Sequence, residues 1–337
     1  MKVEDLIQQR RQNWDELEAY LAGSRRLRGK KGREVPLTKS ERIYNFTRLY
    51  RAACADLALA DAYQLPPSTV QYLHKLVARA HNQLYRSKRF STSQWWGMLF
   101  NDVPKLIFRD RYVQFMFFFF WSIFLGSAAI AATPELWPDY PEHMVGNGQL
   151  ENLESMYAEP LSDRPTGVNL QMVGFYIWHN TSIGLQCFAG GLLIVPGILI
   201  TLFNAASLGA MFGYMARPDI YSEGTQAGTH FFEFVTAHGP FELTAIVLSA
   251  GAGLRIGMSW VHTHGLSRRA SLAKTATETL PVMCAAMVLF AGAALIEGII
   301  SPSGMPYEFK YVVGGLTAAA LLIYFIILGV PRGIPKN

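Results

Sequence analysis

Tyr112-Val-Gln-Phe-Met-Phe-Phe-Phe-Phe-Trp121-Ser-Ile-Phe-Leu-Gly-Ser-Ala-Ala-Ile-Ala-Ala132 runs without a formal charge, directly after the basic Arg109 and Arg111. An uninterrupted apolar run of this length matches the roughly 20 residues that a helix needs to cross about 30 Å of hydrocarbon. The reading of this segment as a membrane span decides the class of the molecule. Of the 337 residues, 50% are hydrophobic and only 16% are charged, against roughly a quarter charged in ordinary soluble domains. Further apolar stretches follow at about 171–190, 193–215, 229–260, 279–300 and 311–330. The sequence therefore predicts an all-α polytopic membrane bundle of about six transmembrane helices.

Charge orients that bundle. Of the 30 Lys and Arg residues, 21 precede Tyr112, against 11 acids in the same stretch. The segment 133–170 is instead acidic, with Glu135, Asp139, Glu142, Glu151, Glu154, Glu159 and Asp163 against the single basic Arg164. Basic loops stay on the cytoplasmic side, so the first span is expected to run outward, with 133–170 as an extracytoplasmic loop. Arg268, Arg269 and Lys274, and later Arg332 and Lys336, then fall inside, and both termini are cytoplasmic. The expected location is a bacterial cytoplasmic (inner) membrane. The basic excess fits a surface facing lipid head groups better than nucleic acid, and no nucleic-acid partner is expected.

Residues 1–111 read as a basic cytoplasmic helical region and 112–337 as the transmembrane domain. Leu6, Ile7, Trp14, Leu17 and Leu21 recur at helical intervals over about 2–22, with Gly23 as a stop and a basic linker through Arg33. Thr38 and Glu41 have the spacing of a capping box opening a helix to about Leu59. After Pro66-Pro67-Ser68 a third helix runs from about Thr69 to Tyr85, with Leu73, Val77, Ala80 and Leu84 on one face. Trp95, Trp96, Phe100, Leu106 and Phe108, interleaved with Lys105 and Arg109, predict an interfacial helix leading into the first span.

The chemistry concentrates in His230-Phe-Phe-Glu233-Phe-Val-Thr-Ala-His238-Gly239-Pro240-Phe-Glu242-Leu. Ionisable groups at membrane depth are costly and mark function by default, which makes His230, Glu233, His238 and Glu242 candidates. Pro240 lacks a backbone donor and restricts Gly239, so a broken or re-entrant helix is expected, with Gly239 as N-cap and Glu242 in the first turn. There Glu242 either caps free amides or carries a functional charge. Glu297, in the fifth stretch, either meets water at the outer boundary or pairs with His238 or Arg255. Asn204 is a further intramembrane polar candidate, read with Asn180 as an interhelical hydrogen-bonding group. A His-x-x-x-Glu pair supplies two ligands where zinc chemistry needs three; a third would have to come from Glu233, His262, His264 or Glu297, so no metal and no cofactor is assigned. Gly209 and Gly213, and Gly253 and Gly257, have the spacing of close helix contacts. The spaced Cys54, Cys187 and Cys284 form no paired-cysteine motif, and no nucleotide-binding or nucleophile motif is present. No residue is assigned a catalytic role, and a non-enzymatic protein is favoured.

Leu49-Tyr-Arg-Ala-Ala-Cys-Ala-Asp56-Leu, Ala80-His81-Asn-Gln-Leu84-Tyr85, Asn204-Ala-Ala-Ser-Leu-Gly209, His238-Gly-Pro-Phe-Glu242-Leu and Glu297-Gly-Ile-Ile-Ser301-Pro302 give the chain a resemblance to the stage II sporulation protein M family over nearly its whole length. The resemblance implies a multi-pass membrane component of an envelope-associated assembly, with other membrane or envelope proteins, and further copies of itself, as partners besides the bilayer. A binding and assembly role leads; a transporter or channel using an intramembrane His/Glu site is the alternative, and an intramembrane metallohydrolase a third class.

Overall fold

A computed structural model of the chain describes residues 3–22, 26–28, 34–36, 39–84, 92–161, 165–221 and 226–330. Gly23, Thr38, Tyr85, Arg332 and Lys336, and with them the expected helix stop, the capping-box threonine and the terminal charges, lie outside the described residues. The chain divides into two compact units, Met1–Ser91 and Thr92–Asn337.

The first unit contains α1 (Val3–Leu21), α2 (Lys39–Ala62) and α3 (Pro67–Leu84). Trp14 and Leu17 of α1 meet Leu49, Ala53 and Ala60 of α2 and Leu73, Leu76 and Ala80 of α3 in a core of their own. Pro67 stands at the first position of α3, where its missing N–H costs nothing. Part of the expected basic linker is ordered, because β1 (Arg26–Arg28) pairs antiparallel with β2 (Glu34–Pro36), Leu27 opposite Val35. This three-residue pairing is a local departure from an otherwise helical chain.

The second unit opens with α4 (Thr92–Gly97), a π-helical turn at Met98–Asp102 and α5 (Val103–Arg109). Leu99, Val103 and Ile107 of this segment enter the core of the bundle while Trp96, Phe100 and Phe108 stay exposed. The predicted amphipathic helix therefore belongs with the membrane unit. Next come α6 (Arg111–Ala132), α7 (Tyr140–Val145), α8 (Asn147–Tyr157), α9 (Thr166–Gly191), α10 (Val195–Met215) and α11 (Pro218–Tyr221). They are followed by α12 (Ala227–Val235), α13 (Gly239–Met258), α14 (Arg268–Leu295), a second π-helical turn (Ile296–Ile300), α15 (Tyr307–Leu322) and a third π-helical turn (Ile323–Ile327). Asp110 starts α6 by accepting the amides of Tyr112 and Val113 at 2.9 and 3.3 Å. The predicted stretch 279–300 is the apolar part of a longer helix: Ser267 caps α14 through the Ala270 amide, so Arg268, Arg269 and Lys274 stand on its first turns rather than in a loop.

Among the described residues, five segments are long and apolar enough to cross a membrane: Arg111–Ala132, Val195–Met215, Gly239–Met258, Arg268–Ile300 and Tyr307–Ile327. The remaining expected span, α9, has 26 residues, but Asn169, Gln171, His179, Asn180 and Gln186 dilute its apolar character. Helix α13 is the inner one, with 72% of its most apolar window buried against 22–44% in the other four. Its glycines make this possible. A Cβ at Gly253 would strike Phe188, and one at Gly257 the Gly191 carbonyl, both on α9. Gly209 and Gly213 of α10 lie equally close to Phe124 and Ala128 of α6. The small-residue spacing thus serves packing inside one chain.

The bundle's two ends differ. At one, Arg255 near the end of α13 bridges Asp110 at 2.8 Å and Glu278 at 3.0 Å. At the other, the acidic segment is folded against the helices. Arg217 donates to the carbonyls of Ala131 and Pro138, Tyr214 donates to Glu154, and Tyr157 packs with Met215, Phe231 and Phe234.

Candidate functional site

The expected helix break lies between α12, which ends at Val235, and α13, which starts at Gly239. The N-cap is His238 rather than Gly239, one residue earlier than the proline alone implies. Proline is tolerated anywhere in the first turn, where amides lack intrahelical partners, so Gly239 can already be helical. The His238 carbonyl accepts the amides of Phe241 and Glu242 at 3.0 and 3.3 Å. Backbone loosened by the break is covered by α15: Gly314 brings that helix against the Thr236 carbonyl, and Thr317 donates to the Ala237 carbonyl at 3.5 Å. A break in a membrane helix needs this kind of internal partner.

Three ionisable side chains converge just inside the break. Donor atoms of His238, Glu242 and Glu297 all lie within 4.8 Å of one another. His238 Nε2 is 3.7 Å from Glu242 Oε2, and its Nδ1 is 3.0 Å from the Ser301 hydroxyl. Glu297 accepts a hydrogen bond from Asn180 Nδ2 at 3.1 Å. His238 and Glu297 are 4% and 8% exposed, while the Glu242 side chain retains 20%. The cluster draws on three elements, with α13 and its N-cap giving Glu242 and His238, the π-helical turn after α14 giving Glu297, and α9 giving Asn180. A π turn holds one residue more than an α turn and redirects the side chains it carries; such turns gather at functional sites. Gly298 in that turn lets Val173 of α9 approach so closely that a Cβ would overlap it, which brings Asn180 within reach of Glu297. Ser301 is itself fixed, its carbonyl accepting from Lys310 Nζ at 2.8 Å.

The model of the family described as stage II sporulation protein M matches residues 115–302, more than half of the chain and the whole of this cluster. The chain belongs to the stage II sporulation protein M family. A separate model, a domain of unknown function (DUF8413), matches residues 4–86. The resemblance read over nearly the whole chain is corrected accordingly. The Leu49–Leu57 and Ala80–Tyr85 motifs fall within the DUF8413 match, and the family match begins inside α6. No curated protein and no solved structure matches the chain.

The other sequence candidates of this stage II sporulation protein M family member are placed away from the cluster or in supporting roles. His230 Nδ1 lies 2.9 Å from the Tyr157 carbonyl, so it ties the acidic segment to α12. Asn204 donates to the Ile200 carbonyl of its own helix at 2.8 Å and makes no interhelical bond among the described residues. Glu233 is half-buried on α12, outside the triad of donors. Arg255 is held by Asp110 and Glu278 and does not meet Glu297. His262 and His264 line a charged cavity of about 560 Å³ beside Arg109, Asp110 and Arg255. Among the described residues Glu242 accepts no amide of its own first turn, so the capping role has no bond to carry it. Asn180, expected as an interhelical hydrogen-bonding group, does bond across helices, and its partner is Glu297 of the site. The sequence signal was an amide inside an apolar helix; nothing local pointed to its partner.

Proposed function

We propose that this chain is a multi-pass component of an envelope-associated assembly in the bacterial cytoplasmic membrane, with about six spans and both termini cytoplasmic. In this reading α9 is the sixth span, with Asn180 turned into the bundle and Gln171, His179 and Gln186 on its exposed face. The acidic segment 133–170 faces outward, and the basic helical unit faces the cytoplasm. The observation that carries the assembly role is a surface recess on α2, lined by Ile43, Tyr44, Thr47, Arg48 and Arg51, with Ile43 59% and Tyr44 71% exposed. The unit closes its own core without these residues. Exposed tyrosine and arginine around an aliphatic contact have the composition of protein-binding hot spots.

Photo-crosslinking in cells tests this. A crosslinker at Tyr44 is expected to trap one defined membrane or envelope protein, and Arg48→Glu with Arg51→Glu should abolish that adduct. No adduct at Tyr44, with an intact envelope in a strain lacking the chain, would overturn the assembly role. Orientation is read by cysteine labelling in intact cells, where an impermeant reagent should reach a thiol near Glu154 and not one near Arg268.

A second reading, a transporter or channel, is favoured by one observation. The convergence of His238, Glu242 and Glu297 at a broken helix is the arrangement in which transporters hold a substrate or coupling ion. Proteoliposomes should then show ion flux that Glu242→Gln removes, and absence of flux for monovalent and divalent cations under imposed gradients would sink it.

A further inference from the structure

We infer that His238, Glu242 and Glu297 form a binding site for one divalent first-row metal ion inside the bundle. Two carboxylates stand within a few ångströms of each other in the apolar interior. Among the described residues neither is paired with a lysine or arginine. Lys310 is directed to the Ser301 carbonyl, Arg255 to Asp110 and Glu278, and Arg217 to the carbonyls of Ala131 and Pro138. A divalent cation held by two carboxylates and a neutral imidazole gives a locally neutral site, which removes the cost of burying unpaired charge.

Geometry supplies the second, independent argument. Tetrahedral zinc, with bonds of about 2.0–2.2 Å, places its donors roughly 3.4 Å apart. The His238 to Glu242 separation of 3.7 Å is already close to that, and since all the donor atoms lie within 4.8 Å of one another, the rest closes with at most about 1.4 Å of carboxylate movement. The outer partners match those that fix metal ligands. A ligating histidine usually commits its other ring nitrogen to a hydrogen bond, and ligating carboxylates are themselves held. His238 engages Ser301 through Nδ1 and leaves the deeply buried Nε2 aimed at the carboxylates with no hydrogen bond, while Asn180 holds Glu297. One imidazole and two carboxylates, without thiolate, suit Zn²⁺ or Mn²⁺ better than the soft Cu⁺ ion. The partial exposure of Glu242 leaves a side for water as a further ligand.

The test uses the full chain purified in detergent, stripped with chelator and titrated with Zn²⁺ or Mn²⁺. Metal content is read by mass spectrometry and stability by thermal melting. The expected result is one ion per chain and a raised melting temperature. Glu242→Gln and His238→Asn should lose the ion while eluting as folded protein. Asn180→Ala should keep the stoichiometry but weaken affinity about 10–100-fold, as loss of an outer partner does. Glu233→Gln should bind like the wild type. Should the ligand variants fail to fold, X-ray absorption of the zinc-loaded wild type decides, and it should show one imidazole with oxygen ligands. The inference is overturned if the stripped wild type takes up neither ion, if folded Glu242→Gln and His238→Asn bind undiminished, or if absorption shows sulfur or no imidazole. The first of these outcomes would mean that protons alone neutralise the acids.

Discussion

In the unit Met1–Ser91 the buried Asp56 carboxylate accepts the Trp14 indole N–H at 2.9 Å and faces Arg10 Nε at 3.5 Å. In the bundle, Glu297 accepts an amide from Asn180 and Glu242 faces an imidazole, and among the described residues neither has a lysine or arginine beside it. The first arrangement explains itself as structure: a tertiary link between α1 and α2 whose charge is compensated locally. The second does not, since burial of an uncompensated charge works against stability. The bundle can compensate acids in the first manner, as Asp110 with Arg255 demonstrates. That it leaves Glu242 and Glu297 without such partners is what marks them as a site.

The largest effect that would sharpen this contrast is expected for Arg255→Ala. It strands Asp110, whose side chain is 3% exposed, and breaking such a buried pair should cost roughly 3 kcal/mol, read as a lower melting temperature of the solubilised chain. Asp56→Ala comes next. Loss of the buried indole partner should cost about 2 kcal/mol, seen as faster amide exchange in α1 and α2. Glu297→Gln in chelator-stripped protein should have the opposite sign, leaving stability unchanged or raising it by up to about 1 kcal/mol, because a buried charge disappears while an acceptor for Asn180 remains. A clear loss of stability there would break the comparison and return Glu297 to a structural role.

Two smaller effects belong to the first unit. The Arg79 to Glu18 pair is 2.6 Å long but 56% and 41% exposed, so Arg79→Ala should cost under about 1 kcal/mol and less in high salt. Burial first, then the nearby Glu18 and Asp15 carboxylates, raise the Tyr72 phenol above its ordinary 10.0. Its contribution is complete below pH 10.0 and is lost as pH rises through the raised value. The alkaline loss of amide protection in α1–α3 should therefore shrink in Tyr72→Phe.

Much of the fold is legible locally. The charge-free run after Arg111, the helical spacing of Trp14, Leu17 and Leu21, and the missing donor of Pro240 each act within a few residues, so their consequences appear without any neighbour. The α14 start escaped because its first turns are polar and were read as a connection, although Ser267 followed by a helical sequence is itself a cap. Asn204 escaped differently. An amide on an apolar helix can bond across helices or back to the preceding turn, and composition does not choose between the two.

By itself, then, the sequence determined where apolar helices run, where the chain must break at Gly239-Pro240, and that His238 and Glu242 stand on either side of that break, four residues apart. Only the tertiary structure decided that Glu297 joins them, that Asn180 and Ser301 orient them, and that Arg255 does not. Periodicity fixes which side of a helix a residue occupies, whereas its partner depends on which helices touch and at what depth. Here those contacts are set by Gly253 and Gly257 of α13, packed against α9, and by Gly298 against Val173. The π-helical turn at Ile296–Ile300 adds a shift that no local pattern announces.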